Sequence, residues 1–336
     1  MRHSLLTAIL LLMASAFGQS QGSTPTTQNP QKPQPHIMTW TPPEHPSPPF
    51  GSEIRKAVFV LRETCRDKDG NLWNSSGTGF IAAYHDPRLT PDLNFEYLVT
   101  NRHVAECFDD QLQPREVVSI GLEVNLKNGR TSTLTLSDHG NIAWRLPADD
   151  SIDLAVAPIL PSGDFAPLVL PLDMFFSNAD FVTQNMGEGS KIILSGYFYQ
   201  LDGETKLQPL VREGILSMIP DAPLMTALRK PGTIYLGEVH VFGGNSGSPV
   251  FISLEGIRPT GILMEGNYRL LGVVSGYYWE DSDFKLQIAA TVTGKQHANS
   301  GITMIVPADF LKDLILKDPA LISARDAQFP AGQAKK

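Results

Sequence analysis

Two cysteines in 336 residues are too few to build a disulfide scaffold, and charged residues at 18% fall below the globular average of about 25%. No cluster of Lys and Arg stands out, and the formal net charge is -8, so the counterion release that drives nucleic-acid binding has no source here. Nucleic acid is therefore not an expected partner. The sequence also lacks an internal repeat of fixed period and any metal motif of the H-E-x-x-H kind, so neither a solenoid nor a metal or other cofactor is expected. It has no apolar run near the roughly 20 residues needed to cross a bilayer.

The longest apolar run, Leu5 to Met13, follows Met1-Arg2-His3 and precedes Ala14-Ser15-Ala16. A charged start, a short apolar core and an A-x-A site read as a secretory signal peptide over residues 1–16. Export to the periplasm or the extracellular space follows, without stable membrane insertion. Residues 19–50 carry nine prolines in 32 positions and no apolar periodicity. Such a segment buries too little surface to offset its ordering entropy. The stretch 17–52 is thus a disordered linker or a pro-segment, the latter if Trp40 and Phe50 dock on the body.

Between Glu53 and Pro307 the apolar runs are short and bounded by turn residues. They include Ala57 to Leu61, Gly79 to Ala83, Tyr97 to Thr100, Val117 to Leu126, Leu154 to Ile159, Ile192 to Tyr197, Gly214 to Ile219, Ile234 to Phe242, Pro249 to Ile252, Leu270 to Ser275 and Ile302 to Val306. Repeated short strands, with 28 Gly and 26 Pro to turn them, indicate an all-β sandwich or barrel, and the length is comfortable for two barrels. Phe310, Leu311, Leu314 and Ile315 then fall at helical spacing, predicting one helix over about 307–317, with 318–336 as a flexible tail and no further domain.

Cys65 and Cys107 in an exported chain either pair, closing a loop of about 43 residues worth roughly 4 kcal/mol in the chain-entropy model, or remain buried thiols. Asn74-Ser75-Ser76 fits a glycosylation acceptor.

Three segments hold residues suited to nucleophilic chemistry. Gly243-Gly244-Asn245-Ser246-Gly247-Ser248-Pro249 lies between two strands, and glycines on both sides of a serine turn the backbone sharply and aim successive N–H groups at one point. A hydroxyl nucleophile with an oxyanion site needs that combination. His103 follows the strand Tyr97 to Thr100 directly, which holds an imidazole rigidly at a domain edge, as a general base requires. Asp153 sits at the mouth of the apolar strand from Leu154, where a carboxylate must find a hydrogen-bond donor and an imidazole is a suitable one. Singly, each also fits an ordinary role as hairpin turn, structural histidine or turn-capping aspartate.

In chain order the three run His103, Asp153, Ser246, the order of chymotrypsin-like enzymes and not of subtilisins or α/β-hydrolases. With GTGFIAA from Gly77, TNRHVAE, SIDLAVAPI, GGNSGSPVF from Gly243 and LLGVVSGYY from Leu270, the chain resembles the trypsin/chymotrypsin-like serine protease superfamily over about residues 53–317. The resemblance implies two six-stranded antiparallel β-barrels, about 53–165 and 166–306, with a short C-terminal helix and an active site between the barrels. It implies Ser246 as nucleophile, His103 as general base and acid, Asp153 as the group that orients the imidazole, and the backbone N–H groups of Gly244 and Ser246 as oxyanion hole. Ser275, Gly276 and Tyr277 would pair with the backbone of a protein or peptide substrate.

Asn245 stands where many digestive members carry an Asp that pairs with a newly cut N-terminus, so activation by that ion pair is not expected. GNSGSP and T-N-x-H-V resemble the bacterial glutamyl-endopeptidase branch, yet the position of that branch's acid-reading His is Val274 here. His240, six residues before Ser246, falls near the base of the implied specificity pocket, where it favours an acidic or polar side chain or else faces solvent. PDZ-bearing heat-shock-type proteases share TNxHV and GNSGxP, and no PDZ domain is expected in this chain. The leading expectation is a secreted serine endopeptidase. An inactive protease-like binding module and an esterase on the same scaffold are the alternatives, and the sequence fixes no oligomeric state.

Overall fold

The structure is a computed structural model that describes residues 49–137, 142–161, 164–165, 167–198, 206–258, 261–263, 267–287 and 291–329. The expected signal peptide and nearly all of the proline-rich stretch lie outside the described residues.

A short helix, α1 (Phe50–Ile54), leads into β1 (Val58–Arg66), β2 (Leu72–Tyr84) and β3 (Phe95–Thr100). A single turn, α2 (Arg102–Ala105), follows, then β4 (Glu116–Asn125), β5 (Thr131–Ser137), β6 (Ala155–Pro158) and β7 (Leu170–Pro171). After α3 (Asn178–Thr183) come β8 (Lys191–Gly196), β9 (Leu210–Met218), β10 (Leu224–Met225), β11 (Pro231–Gly232), β12 (Tyr235–Glu238) and β13 (Pro249–Ser253). The small hairpin β14 (Gly256–Arg258) and β15 (Gly261–Leu263), the long ribbon β16 (Tyr268–Gln287) and β17 (Thr291–Pro307), and helices α4 (Ala308–Lys317) and α5 (Pro319–Asp326) complete the order.

The first half forms a sheet in the order β5-β4-β1-β2-β3-β6, with β7 parallel to β2. The second half forms a closed barrel in the order β12-β17-β16-β13-β8-β9, which β9 closes onto β12. The structure thus corrects the expectation of two closed six-stranded barrels, because among the described residues only the second closes. The edge strand β5 reads TSTLTLS, every residue at least partly exposed, with Leu134 and Leu136 packed against the core of this half, and it pairs with β4 alone. The outer side of β6 instead receives an isolated bridge from Arg145 to Val156.

The core explains how the halves meet. One apolar cluster combines Phe80 and Val99 of the sheet with Phe251, Leu270 and Val273 of the barrel and Leu311 and Ile315 of α4. Helix α4 buries Ala308, Leu311, Leu314 and Ile315, a single stripe at helical spacing. The stretch expected as a tail is occupied in part by α5. Asp318 caps that helix through the N–H groups of Ala320 and Leu321 and pairs with Arg145 at 3.1 Å. The buried Arg325 then donates to the Tyr97 hydroxyl at 2.8 Å, tying α5 to β3. At the other end Phe50 stacks on Tyr268, ring centroids 3.8 Å apart.

Candidate active site

β3 ends at Thr100 and the chain turns at the fully buried Asn101 into α2, so His103 stands at the mouth of a strand whose Tyr97, Leu98 and Val99 are buried. The Asn101 amide donates to the backbone carbonyl of Asp153 at 2.8 Å, joining the histidine turn to the aspartate segment. Cys65 and Cys107 are bonded, with Cα atoms 5.9 Å apart. The disulfide fastens the chain four residues after His103 to β1.

Asp153 is fully buried, and both of its oxygens are used. Its Oδ2 lies 2.7 Å from His103 Nδ1, its Oδ1 accepts the His103 backbone N–H at 3.1 Å, and Oδ2 also accepts the Ser275 hydroxyl at 2.5 Å. Burial alone would push the His103 imidazole down. The Asp153 carboxylate outweighs it by charge and hydrogen bond and holds the group above its ordinary 6.5. Burial would likewise raise Asp153, but the charge and hydrogen bond of His103 and the Ser275 hydroxyl keep it below the usual carboxylate range. The arrangement therefore fixes the imidazole with Nδ1 toward the carboxylate and leaves Nε2 for chemistry.

Ser246 lies in a loop framed by turns. Asn245 N–H donates to Phe242 O at 2.9 Å across Gly244, whose φ of 92° only glycine adopts cheaply, and Gly247 follows at φ 88°. A Cβ on Gly247 would stand 2.0 Å from Thr78 O, so β2 runs directly against this loop. Thr78 N–H donates to Ser246 O at 2.7 Å, and the Thr78 hydroxyl donates to Gly244 O at 2.6 Å while accepting Tyr197 N–H at 3.1 Å. A Cβ on Gly77 would meet Val104 at 2.8 Å and Ser246 O at 3.3 Å, which brings the histidine turn and the serine loop together at one β2 residue.

The N–H groups of Gly244 and Ser246 donate to no described residue. The Ser246 hydroxyl and the His103 imidazole make no hydrogen bond to each other. Asn245 is buried; its Oδ1 accepts Phe242 N–H at 2.9 Å and its Nδ2 donates to Tyr197 O, so an amide holds the loop where an ion pair with a new N-terminus is not available.

Of the residues expected to line a substrate, Ser275 turns its side chain to Asp153. The ladder of β16 with β17 shifts register between Val274 and Gly276, and this bulge at Ser275 re-aims the hydroxyl inward. On the opposite edge, the pairing of β16 with β13 starts at Val273, and the last backbone contacts there join Val274 to Gly247 and Ser248. Gly276 and Tyr277 follow, paired with Met304 and Thr303 of β17. Tyr277 is half-buried, its ring 4.7 Å from that of Trp279. His240 is exposed just past β12, its ring against Gly301. Asn74 is exposed within β2, opposite Thr64.

Sequence reasoning missed Thr78, the buried hinge between sheet and loop, although it lies inside the quoted GTGFIAA. It also assigned Ser275 to substrate and not to Asp153. No group of acidic, His or Cys residues that could hold a metal occurs among the described residues, and no described helix is long and apolar enough to cross a membrane.

No protein-family model matches the sequence, and no curated protein matches it. Solved structures do. An HtrA-type protease AlgW with decapeptide matches at 16% identity over 81% of this chain and 73% of that one, with a TM-score of 0.43. A second AlgW structure is spanned over 65% of its length, just under two thirds. Deg5 matches at 15% identity over 79% of this chain and 92% of that one, TM-score 0.41. The Rv3671c protease from M. tuberculosis, active form, matches at 16% identity over 79% and 81%, TM-score 0.41.

Proposed function

We propose that the protein is a serine endopeptidase that hydrolyses peptide bonds through an acyl-enzyme on Ser246. The observation that carries this reading is the buried Asp153 holding His103 Nδ1 at 2.7 Å, one β2 residue away from a glycine-framed serine loop with unused N–H groups.

In the proposed reaction Ser246 Oγ attacks the carbonyl carbon and its proton passes to His103 Nε2. The oxyanion forms against the N–H groups of Gly244 and Ser246, each such donor being worth about 2.7–4 kcal/mol. Collapse expels the amine, which takes the proton from Nε2. Water, deprotonated by the same nitrogen, then releases the acid and restores Ser246. Asp153 stabilises the imidazolium at both steps without itself taking the proton. The β16 backbone beyond Val274, whose last contacts on that side go to Gly247 and Ser248, would receive a substrate strand that supplies its own backbone hydrogen bonds. The signal-like first residues support export of this enzyme, with a protein or peptide as its substrate.

A second reading, a protease-like binding module, draws on the missing hydrogen bond between Ser246 and His103. Catalytic hydrogen bonds are often long before substrate arrives, which leaves the first reading the stronger. A fluorophosphonate probe separates them: covalent mass on Ser246, absent after His103→Ala, supports the protease, whereas a folded protein that stays unlabelled supports the binding module. Comparing turnover of matched peptide and ester substrates separates an endopeptidase from an esterase.

A further inference from the structure

Away from the catalytic pair, the start of β1, the end of β4, the chain at Phe165 and the chain entering β9 enclose a cavity of about 430 Å³. Its floor is apolar, with Val58, Phe165 and Leu207 all buried. Its rim carries Arg55, Lys56, Lys127 and Lys206, and none of the described residues lining it is acidic. Lys56 is paired with Glu53 at 2.7 Å. Arg55, Lys127 and Lys206 make no side-chain hydrogen bond or ion pair among the described residues. In a chain of net charge -8, that is a local reversal of sign.

A second cavity, of about 470 Å³, shares Ser52, Arg55 and Pro209 with the first and continues along Gln208 and Leu210. Together they make one groove with a cationic mouth and an apolar run, longer than a lone phosphate or carboxylate would fill. Its wall is held firmly: Asn125 Nδ2 donates to Leu207 O at 2.9 Å while Asn125 Oδ1 accepts Leu207 N–H at 3.0 Å. Leu207 packs in turn with Val60 and Tyr197, and Tyr197 is the residue whose backbone takes the Asn245 amide and donates to Thr78.

We propose that this groove is a docking site for an acidic peptide segment. Two or more carboxylates would lie over Arg55, Lys127 and Lys206, and an apolar side chain between them would cover Phe165 and Leu207. Charge complementarity selects the occupant: several cations around one apolar floor match spaced carboxylates on a chain better than a single small anion. Because the cations are exposed, binding weakens with salt, and each contributes modestly.

The test uses the full chain carrying Ser246→Ala, so that a bound peptide is not cut and the result stands whether or not the protein is a protease. The probe is a fluorescein-labelled hexapeptide, Asp-Glu-Phe-Pro-Glu-Asp, followed by anisotropy, with a Lys-for-acid counterpart and inorganic phosphate as competitors. Saturable binding that falls with salt, ignores the Lys peptide and drops roughly tenfold or more in Lys127→Glu/Lys206→Glu is the expected result. Arg55→Ala, a milder change, should weaken binding a few-fold, and unchanged melting of both variants excludes unfolding as the cause. Absence of saturable binding, equal binding of the Lys peptide, displacement by millimolar phosphate, or indifference to the charge reversal would each overturn the proposal.

Discussion

The Ser275 hydroxyl donates to the same Asp153 oxygen, Oδ2, that holds His103 Nδ1, at 2.5 Å and 2.7 Å respectively. A carboxylate with no exposure thus has its charge balanced by three donors from two halves of the molecule: the ring and the backbone N–H of His103, and the hydroxyl from the barrel strand β16. Ser275→Ala should lower kcat/KM by about tenfold to a hundredfold, the worth of one hydrogen bond to a charged group, and Ser275→Thr should recover part of it. An unchanged rate in the alanine variant would show that the third donor contributes nothing to orienting the pair.

In the proposed reaction His103 acts as a base only when neutral, and the Asp153 carboxylate holds its pKa above 6.5. The acid limb of kcat/KM against pH should therefore have its midpoint above 6.5, with activity rising as pH increases through it. In Asp153→Asn burial acts on the imidazole unopposed, so the midpoint should move down, and kcat should fall on the order of 10⁴-fold as the tautomer is lost. A midpoint that stays put would detach the limb from His103.

Thr78→Val removes one hydroxyl that serves the Gly244 carbonyl and the Tyr197 N–H together. The buried Tyr197 N–H and the part-buried Gly244 carbonyl lose a partner, so stability should fall by about 1–3 kcal/mol. The serine loop also loses a support, and kcat should drop roughly tenfold while KM changes little, because Thr78 bonds to the loop at Gly244 and Ser246. Stopped-flow kinetics and thermal melting on the same preparation check both parts.

Glu63 on β1 is almost fully buried with both carboxyl oxygens unpartnered, and burial raises it from 4.5 to about 8. The folded protein then binds a proton that the unfolded chain has released. Its contribution to stability is complete below pH 4.5 and is lost as pH rises toward 8, by up to about 1.4 kcal/mol per pH unit. Glu63→Gln should flatten that fall and melt higher than the parent at pH 8. Equal pH slopes for the two proteins would remove Glu63 from the account.

Reduction of Cys65–Cys107 releases the segment just after His103 from β1. The Cys65→Ser/Cys107→Ser chain should lose about 2–5 kcal/mol of stability, and its activity should fail at a lower temperature than the parent's. Coincident melting and inactivation curves for the two forms would contradict this.

Much of the fold was legible because its strands are short, apolar and bounded by turn residues; eleven expected runs each overlap or adjoin an observed strand or its extension. β5 was not, since TSTLTLS is too polar to stand out from a loop. β16 and β17 extend well past the expected Leu270 to Ser275 and Ile302 to Val306; Glu280 to Asn299 read as an insertion, although Phe284 and Leu286 alternate with polar neighbours at strand period. Helix α5 escaped notice because its fixings, Arg325 to Tyr97 and Asp318 to Arg145, are polar pairs between residues far apart in sequence. His103, Asp153 and Ser246 were found through local motifs, whereas the role of Ser275 depends on a bulge that only strand register reveals.

The most direct test is cleavage of an unbiased peptide library by the purified mature chain and by Ser246→Ala, with cut sites identified by mass. The account predicts cuts by the parent alone, with a pattern that reports the side chain preferred at the cut bond. Cleavage by both would place the chemistry elsewhere, and a folded parent that cleaves nothing and resists a serine-directed probe would contradict the proposal that Ser246 is a nucleophile.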